Sequence, residues 1–236
     1  MTHLLRCTVD RRRFPVHDVY PFDLPVLGSC GPIELDRPVT FFVGENGSGK
    51  STLLRAIARA CGIHIWEDGD KARVSHNAHE ERLHLYLDIQ WRDGPVPGSF
   101  FSADRFRAFS QSVDEWAIED PEVLGVYGGK SLLVQSHGQS HMSFFTSRFR
   151  LKGLYLLDEP ENALSPRNQL ALRRELRAFA RAQAQFIIAT HSPLLLSLPD
   201  ARILDFDGDA PRAVGYTDTE SCRVYKSFFE NPDCCD

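Results

Sequence analysis

GENGSGKS, residues 44–51, stands between an all-apolar run, Val39–Val43 (VTFFV), and a stretch of helical periodicity, Lys50–Ala60 (KSTLLRAIARA). The first run reads as a strand buried on both faces of a parallel sheet. In the second, Leu53, Leu54, Ile57 and Ala58 recur at helical spacing, and Cys61-Gly62 supplies the stop. The pattern G-x-x-x-x-G-K-[ST] at a strand-to-helix turn describes a phosphate-binding loop. Its glycines let successive N–H groups converge on an anion, and the helix N-terminus adds its positive end. The candidate nucleotide-binding set is therefore Gly44, Glu45, Asn46, Gly47, Ser48, Gly49, Lys50, Ser51 and Thr52. Lys50 would reach the β- and γ-phosphates, and the Ser51 hydroxyl would ligate Mg²⁺.

Further along, Leu154–Leu157 reads as a second buried strand, and it ends in Asp158-Glu159. Two acids at a strand's carboxyl end share the sheet edge where a phosphate loop lies. Asp158 suits the Mg²⁺ shell, and Glu159 suits the polarisation of a water for in-line attack. A third buried strand, Gln185–Ala189, runs into Thr190-His191-Ser192-Pro193, which puts His191 at the same edge as a γ-phosphate sensor. Gln135-Ser136-His137-Gly138-Gln139-Ser140 precedes a helix expected over Met142–Phe149. Ser136 and the N–H groups around Gly138 would offer hydroxyl and amide donors to an anion at that helix start. The phosphate loop already has a helix of its own, so these donors fit the site of a second copy.

The remaining chain reads as Leu83–Trp91, a period-two strand of antiparallel type; a strand near Ser99–Ala103; a weak helix over Ser112–Ile118; and a loop-rich Gly125–Gly138. An Arg-rich helix is expected over Asn168–Gln183 and an edge-like strand over Arg202–Phe206. Alternating strands and helices imply an α/β fold with a mainly parallel sheet. The rhythm breaks near residues 70–150, where a helical insertion is expected, and residues 216–236 read as a C-terminal tail.

The chain has 236 residues, 27 basic against 32 acidic, for a formal charge of −5. That balance gives no support to a whole-chain nucleic-acid binder. No apolar run approaches the roughly 20 residues of a membrane-crossing helix, and the N-terminal apolar stretch is too short for a secretory signal. Cys7, Cys30, Cys61, Cys222, Cys234 and Cys235 form no C-x-x-C pair, which reads as reduced thiols in a cytoplasmic protein. The Cys234-Cys235-Asp236 ending is not a prenylation box. His64, His76, His79 and His84 lack partners at metal-ligand spacing. Arg11-Arg12-Arg13 and the i, i+4, i+8 stripe Arg173, Arg177, Arg181 read as solvated charge, with a phosphate-tracking face as the alternative.

GENGSGKS, SHGQ, LLDEPENALSP and THSP occur in the order and spacing of ATP-binding-cassette (ABC) ATPases, and over roughly residues 35–206 the chain resembles a minimal member of that superfamily, among the AAA-type ATPases. The resemblance implies one ABC ATPase domain over 1–236: a P-loop NTPase sheet flanked by helices, an antiparallel β subdomain and a small helical insertion at about 105–150. It makes Ser136, His137, Gly138 and Gln139 the signature motif acting on the partner's nucleotide. It also makes Glu161–Pro166 the loop linking two composite sites, and Glu159 the catalytic base. His137 departs from the family, which has glycine there. For the family's glutamine-containing loop neither Asp104 nor Gln111 fits, and Phe14, Tyr20 and Phe22 remain alternatives for stacking on adenine.

Lys50 and Asp158 lie 108 positions apart, too close to enclose the long coiled coils of chromosome-organising relatives. Glu161, after Glu-Pro, resembles soluble cassette-like ATPases of repair, overcoming-lysogenisation and defence types. The implied function is Mg²⁺-dependent binding and hydrolysis of ATP by a cytoplasmic, ATP-dependent homodimer that acts on a protein partner docked near residues 70–130. The alternatives are a transporter's nucleotide-binding subunit and a nucleic-acid-associated ATPase.

Overall fold

The computed structural model describes residues 2–66 and 77–232. His76 and the Cys234-Cys235-Asp236 ending lie outside the described residues. The chain runs β1 (Leu4–Val9), β2 (Ile33–Glu34), β3 (Val39–Val43), α1 (Lys50–Ala60), β4 (Leu87–Trp91), β5 (Gly98–Ser102), α2 (Phe106–Glu119), α3 (Val123–Val126) and α4 (His137–Arg148). It continues through β6 (Gly153–Asp158), α5 (Pro166–Arg181), β7 (Ala184–Ala189), α6 (Pro193–Leu196), β8 (Arg202–Asp205), β9 (Arg212–Ala213) and α7 (Glu220–Glu230).

The main sheet has the order β5-β6-β7-β3-β8-β9, parallel except where β9 meets β8. Its central strands are continuous apolar runs because each face meets a different core. Phe42, Leu154, Leu156, Ile187 and Ala189 join Leu53, Leu54 and Ile57 of α1 on one side. Phe41, Tyr155, Leu157, Phe186 and Ile188 join Leu172 and Leu176 of α5 on the other. Alternate residues of a strand point to opposite faces, so one run feeds both layers. α1 and α5 therefore cover opposite faces of the sheet.

An antiparallel sheet, β2-β1-β4, covers the α1 side. Gln185 stitches the two sheets together although it is fully buried. Its Oε1 accepts from the backbone N–H of His3 and Leu4 at 2.7 and 2.8 Å, and its Nε2 donates to the carbonyls of Leu4 and Leu35 at 2.8 and 2.6 Å. With every polar atom partnered, the amide avoids the desolvation cost of about 1–3 kcal/mol per orphaned group.

The segment between β5 and β6 is helical. Phe101, Phe106, Phe109, Phe144, Phe145 and Phe149 form a cluster of tilted, edge-to-face and stacked rings that holds α2 and α4 on the sheet. His141 sits among these rings. Burial, with His137 adding to it, pulls its pKa down to about 4, so it packs there as neutral imidazole.

Several sequence expectations need correction. Leu83–Tyr86 is a 3₁₀ turn, and only Leu87–Trp91 is strand, because Leu83 turns into the core before the chain pairs with β1. The helix expected over Ser112–Ile118 extends over Phe106–Glu119, and the short α3, Val123–Val126, runs into the first residues of the stretch read as loop-rich. α4 starts at His137 rather than Met142, because Ser136 and Gln139 form a capping box. The strand at 202–205 is not an edge, since β9 lies outside it. β1 and β2 were not anticipated. The expected tail forms α7 over residues 220–230, with Val224, Tyr225, Phe228 and Phe229 exposed.

Candidate active site

All the parallel strands end at one edge, and the chemistry-bearing residues follow directly from those ends. Pairing sets Phe42 beside Ala189, Ala189 beside Asp158, Asp158 beside Ser102, and Val43 beside Asp205. The loop at Gly44, the acids at Asp158 and Glu159, Thr190-His191, Asp104 and Asp207 are thereby gathered without any long-range coincidence.

In the loop, Gly44, Gly47 and Gly49 have φ of +135°, +86° and +97°, a region that L side chains rarely adopt. Gly44 also lacks room: a Cβ there would lie 2.7 Å from Asp207 Oδ1. Asp207 accepts the Glu45 N–H at 2.6 Å and so pins the start of the loop. Lys50 is buried, and its Nζ donates to the carbonyls of Gly44 and Glu45 at 2.6 and 2.8 Å. Burial pulls the Lys50 pKa below its usual value, against the opposite pull of Asp207, Glu159, Asp158 and Glu45. Asn46 and Gly47 face solvent, and Ser48 is half-buried. The Thr52 hydroxyl meets Tyr20 Oη at 2.8 Å.

The loop and the acid strand meet where Ser51 Oγ donates to Asp158 Oδ1 at 2.6 Å. Asp158 is buried, and that burial raises its pKa. Glu159 and Asp104 push it the same way, while Ser51 and Arg55 oppose them. Glu159 takes up a left-handed backbone, φ +49°, with its N–H on the Ala189 carbonyl at 2.9 Å. Such a conformation costs a residue with a side chain on the order of 1–2 kcal/mol. Glu159 Oε2 accepts from Asn162 Nδ2 at 2.6 Å. A cleft of about 110 Å³ opens beside Ser51, Asp158, Glu159, Asn162 and Asp104.

His191 is exposed, and its N–H donates to Glu161 Oε1 at 2.7 Å. Partial desolvation at the cleft wall, with Lys50 next, pulls the His191 pKa down against Glu159, Glu45 and Asp207. Burial raises the Glu161 pKa, against the Thr190 hydroxyl and the His191 amide. A second cleft, about 390 Å³, runs between Gly44, Glu45 and Asp207 on one wall and Thr190, His191 and the start of α7 on others. The segment read as a tail thus helps to wall the site.

Ser136, His137 and Gln139 stand exposed at the start of α4, with Gly138 half-buried. A Cβ on Gly138 would lie 3.2 Å from the Ala163 carbonyl. None of these four residues lines either cleft.

Of the three aromatic alternatives, Phe14 and Phe22 are buried against each other, and Tyr20 alone stays half-buried beside the loop. Of the two positions weighed for the glutamine-containing loop, Gln111 lies within α2, whereas Asp104 reaches the acid cleft. Sequence reasoning missed Asp207 altogether, and it missed the contact of Glu161 with His191.

Among the described residues, no three His, Cys, Asp or Glu are grouped to hold a metal, and no helix is long and apolar enough to cross a membrane. Two AAA-domain family models match. One covers residues 28–89; the other, whose description adds the AbiEii toxin of a type IV TA system, covers residues 99–197. Among solved structures, cbiO1 of Clostridium perfringens, part of the ABC transporter complex cbiONQ, superposes with a TM-score of 0.57 at 16% identity, covering 98% of this chain and 97% of that one. The chain has the fold of an ABC-type P-loop ATPase. A second ABC-type structure, MJ1267, an ATP-binding cassette of an ABC transporter in its ADP conformation, gives 0.56 at 12% identity over 100% and 98% of the two chains. No curated protein matches. The mainly parallel sheet, the antiparallel sheet and the flanking helices of this ABC-type fold agree with the sequence expectation.

Proposed function

We propose that the chain is one ATPase unit, residues 1–236, that binds and hydrolyses Mg-ATP in a site completed by a second copy. The observation that carries this reading is the 2.6 Å contact between Ser51 and Asp158, which joins the phosphate loop to the acid strand end. Both are hard oxygen donors, and one hydroxyl with one carboxylate suits Mg²⁺, which takes its remaining ligands from phosphates and water. Bound there, Mg²⁺ would offset phosphate charge, and Asp104 across the cleft would hold part of its water shell.

The incoming triphosphate takes over the Lys50 ammonium from the carbonyls of Gly44 and Glu45, and the amides of residues 45–51 close on the β-phosphate. Tyr20, fixed by Thr52, faces the base. Glu159, held by Asn162, accepts a proton from the attacking water as the catalytic base. His191 donates to the γ-phosphate, and its tie to Glu161 couples it to the loop that carries Glu159. Ser136 and the Gly138 amide of the second copy cap the γ-phosphate, with His137 and Gln139 beside them. The exposure of Ser136, His137 and Gln139, away from both clefts, favours contact with another molecule. Hydrolysis removes the shared ligand and releases the pair, a dimerising switch.

A composite site has a kinetic signature. At saturating Mg-ATP, turnover per chain should rise with protein concentration and level off as dimer accumulates. A rate per chain that stays constant across dilution from well above to well below the dimer's dissociation constant would contradict the shared site.

A further inference from the structure

The arginines of α5 do not stand as the i, i+4, i+8 spacing suggests. Arg173 turns back to the domain and donates to the Ser197 carbonyl at 3.0 Å. Arg167, Arg174, Arg177 and Arg181 are exposed instead, and none has an ion-pair partner among the described residues. At 100° per residue, these four fall within about 80° of arc. Glu175, the only acid of α5, projects about 100° away from Arg174. The opposite face, Leu172, Leu176 and Ala180, is packed on the sheet, so the strip is rigid. Gly153 pairs with Ala184 just beyond the end of α5, which brings the exposed Arg150 and Lys152 to the same end.

The basic triplet near the N-terminus is different. Arg11 donates to the Gly28 carbonyl, Arg12 pairs with Asp10 at 2.9 Å, and Arg13 lies 3.7 Å from Asp88. The α5 strip keeps its charge.

We infer that the α5 strip is a docking track for the phosphate backbone of double-stranded nucleic acid. Arg167 to Arg181 spans about 21 Å, the length of roughly six phosphates on one strand. Guanidinium groups suit phosphate because they bind it in bidentate fashion. The strip holds no aromatic side chain, which disfavours single strands that are gripped by base stacking. Its exposed apolar content is Leu170 and Ala178 on α5 and Leu151 beside its end, scattered rather than forming the continuous apolar face that anchors a helix in a lipid surface. Contacts to phosphates carry no base information, so the track is sequence-independent. Neutralising four to six phosphates corresponds to a log–log salt slope between about −3.5 and −5.5. This face lies across the sheet from α1, so the track neither needs nor obstructs the nucleotide clefts.

The test is fluorescence anisotropy of the full chain with a short labelled DNA duplex over a salt series, with duplex RNA, single-stranded DNA and phosphatidylserine vesicles as separate arms. Duplex DNA, duplex RNA or both should bind with the slope above and more tightly than single strands. The quadruple variant Arg167→Gln, Arg174→Gln, Arg177→Gln, Arg181→Gln should weaken binding more than tenfold and flatten the slope by about one unit per arginine. Replacing the same four with Lys should keep most of the binding and guards against a folding artefact. The inference is overturned if duplexes do not bind at low salt, if single strands or vesicles are preferred, or if the Gln variant binds like the parent. Nucleotide hydrolysis should persist in the Gln variant, so this result stands apart from the outcome for the ATP site.

Discussion

Lys50→Ala should weaken Mg-ATP binding by roughly 10²–10⁴-fold. The ammonium is buried on two carbonyl oxygens of its own loop, and it exchanges them for phosphate oxygens when the triphosphate binds. Two charge-assisted hydrogen bonds at about 1.5–3 kcal/mol each account for that range. Four acids, Asp207, Glu159, Asp158 and Glu45, lie near enough to act on Lys50. Without the cation they face a polyanion unopposed, which pushes the loss toward the upper figure. Titration calorimetry reads the affinity, and circular dichroism checks that the variant is folded. A folded variant with affinity within about threefold of the parent would remove Lys50 from the site.

Glu159→Gln should keep ATP and lose chemistry. General-base removal costs about 10²–10⁴ in turnover, yet the amide oxygen of Gln can still accept from Asn162, so the loop geometry survives. The intact triphosphate then stays in place, and the pair that it bridges should accumulate. Light scattering coupled to size-exclusion chromatography should give a doubled mass with Mg-ATP and a single-chain mass without it. A single-chain mass in both conditions, with ATP bound, would contradict closure by a second copy while leaving the nucleotide site intact.

The two expectations rest on residues of different legibility. Val39–Val43 and Lys50–Ala60 were readable to the residue because an all-apolar run, a glycine-bearing turn and a 3.6-residue period leave little choice. The acids at 158–159 followed from the strand before them. Asp207 could not be found, since it lies in an Asp-rich turn after β8, and only the pairing of β8 with β3 brings it to the loop. β1 was hidden for a similar reason: LLRCTV mixes apolar and polar residues irregularly, and its strand character comes from the distant partners β2 (Arg6 beside Glu34) and β4 (Val9 beside Leu87). The arginine stripe was read from spacing alone, whereas which of Arg173 and Arg174 faces water depends on where α5 rests on the sheet. Ser136 with Gln139 was itself a capping-box signal and could have moved the start of α4 forward. The period in ESCRVYKSFFE likewise favoured a helix rather than a tail.

The most direct measurement is a crystal structure of the chain with Mg²⁺ and a non-hydrolysable ATP analogue. The phosphates should lie on the amides of residues 45–51. Lys50 Nζ should have left the carbonyls of Gly44 and Glu45 for the β- and γ-phosphates, and Ser51 with Asp158 should have parted to admit the metal between them. Analogue bound elsewhere, with Lys50 still on its own loop and Ser51 still on Asp158, would contradict the assignment.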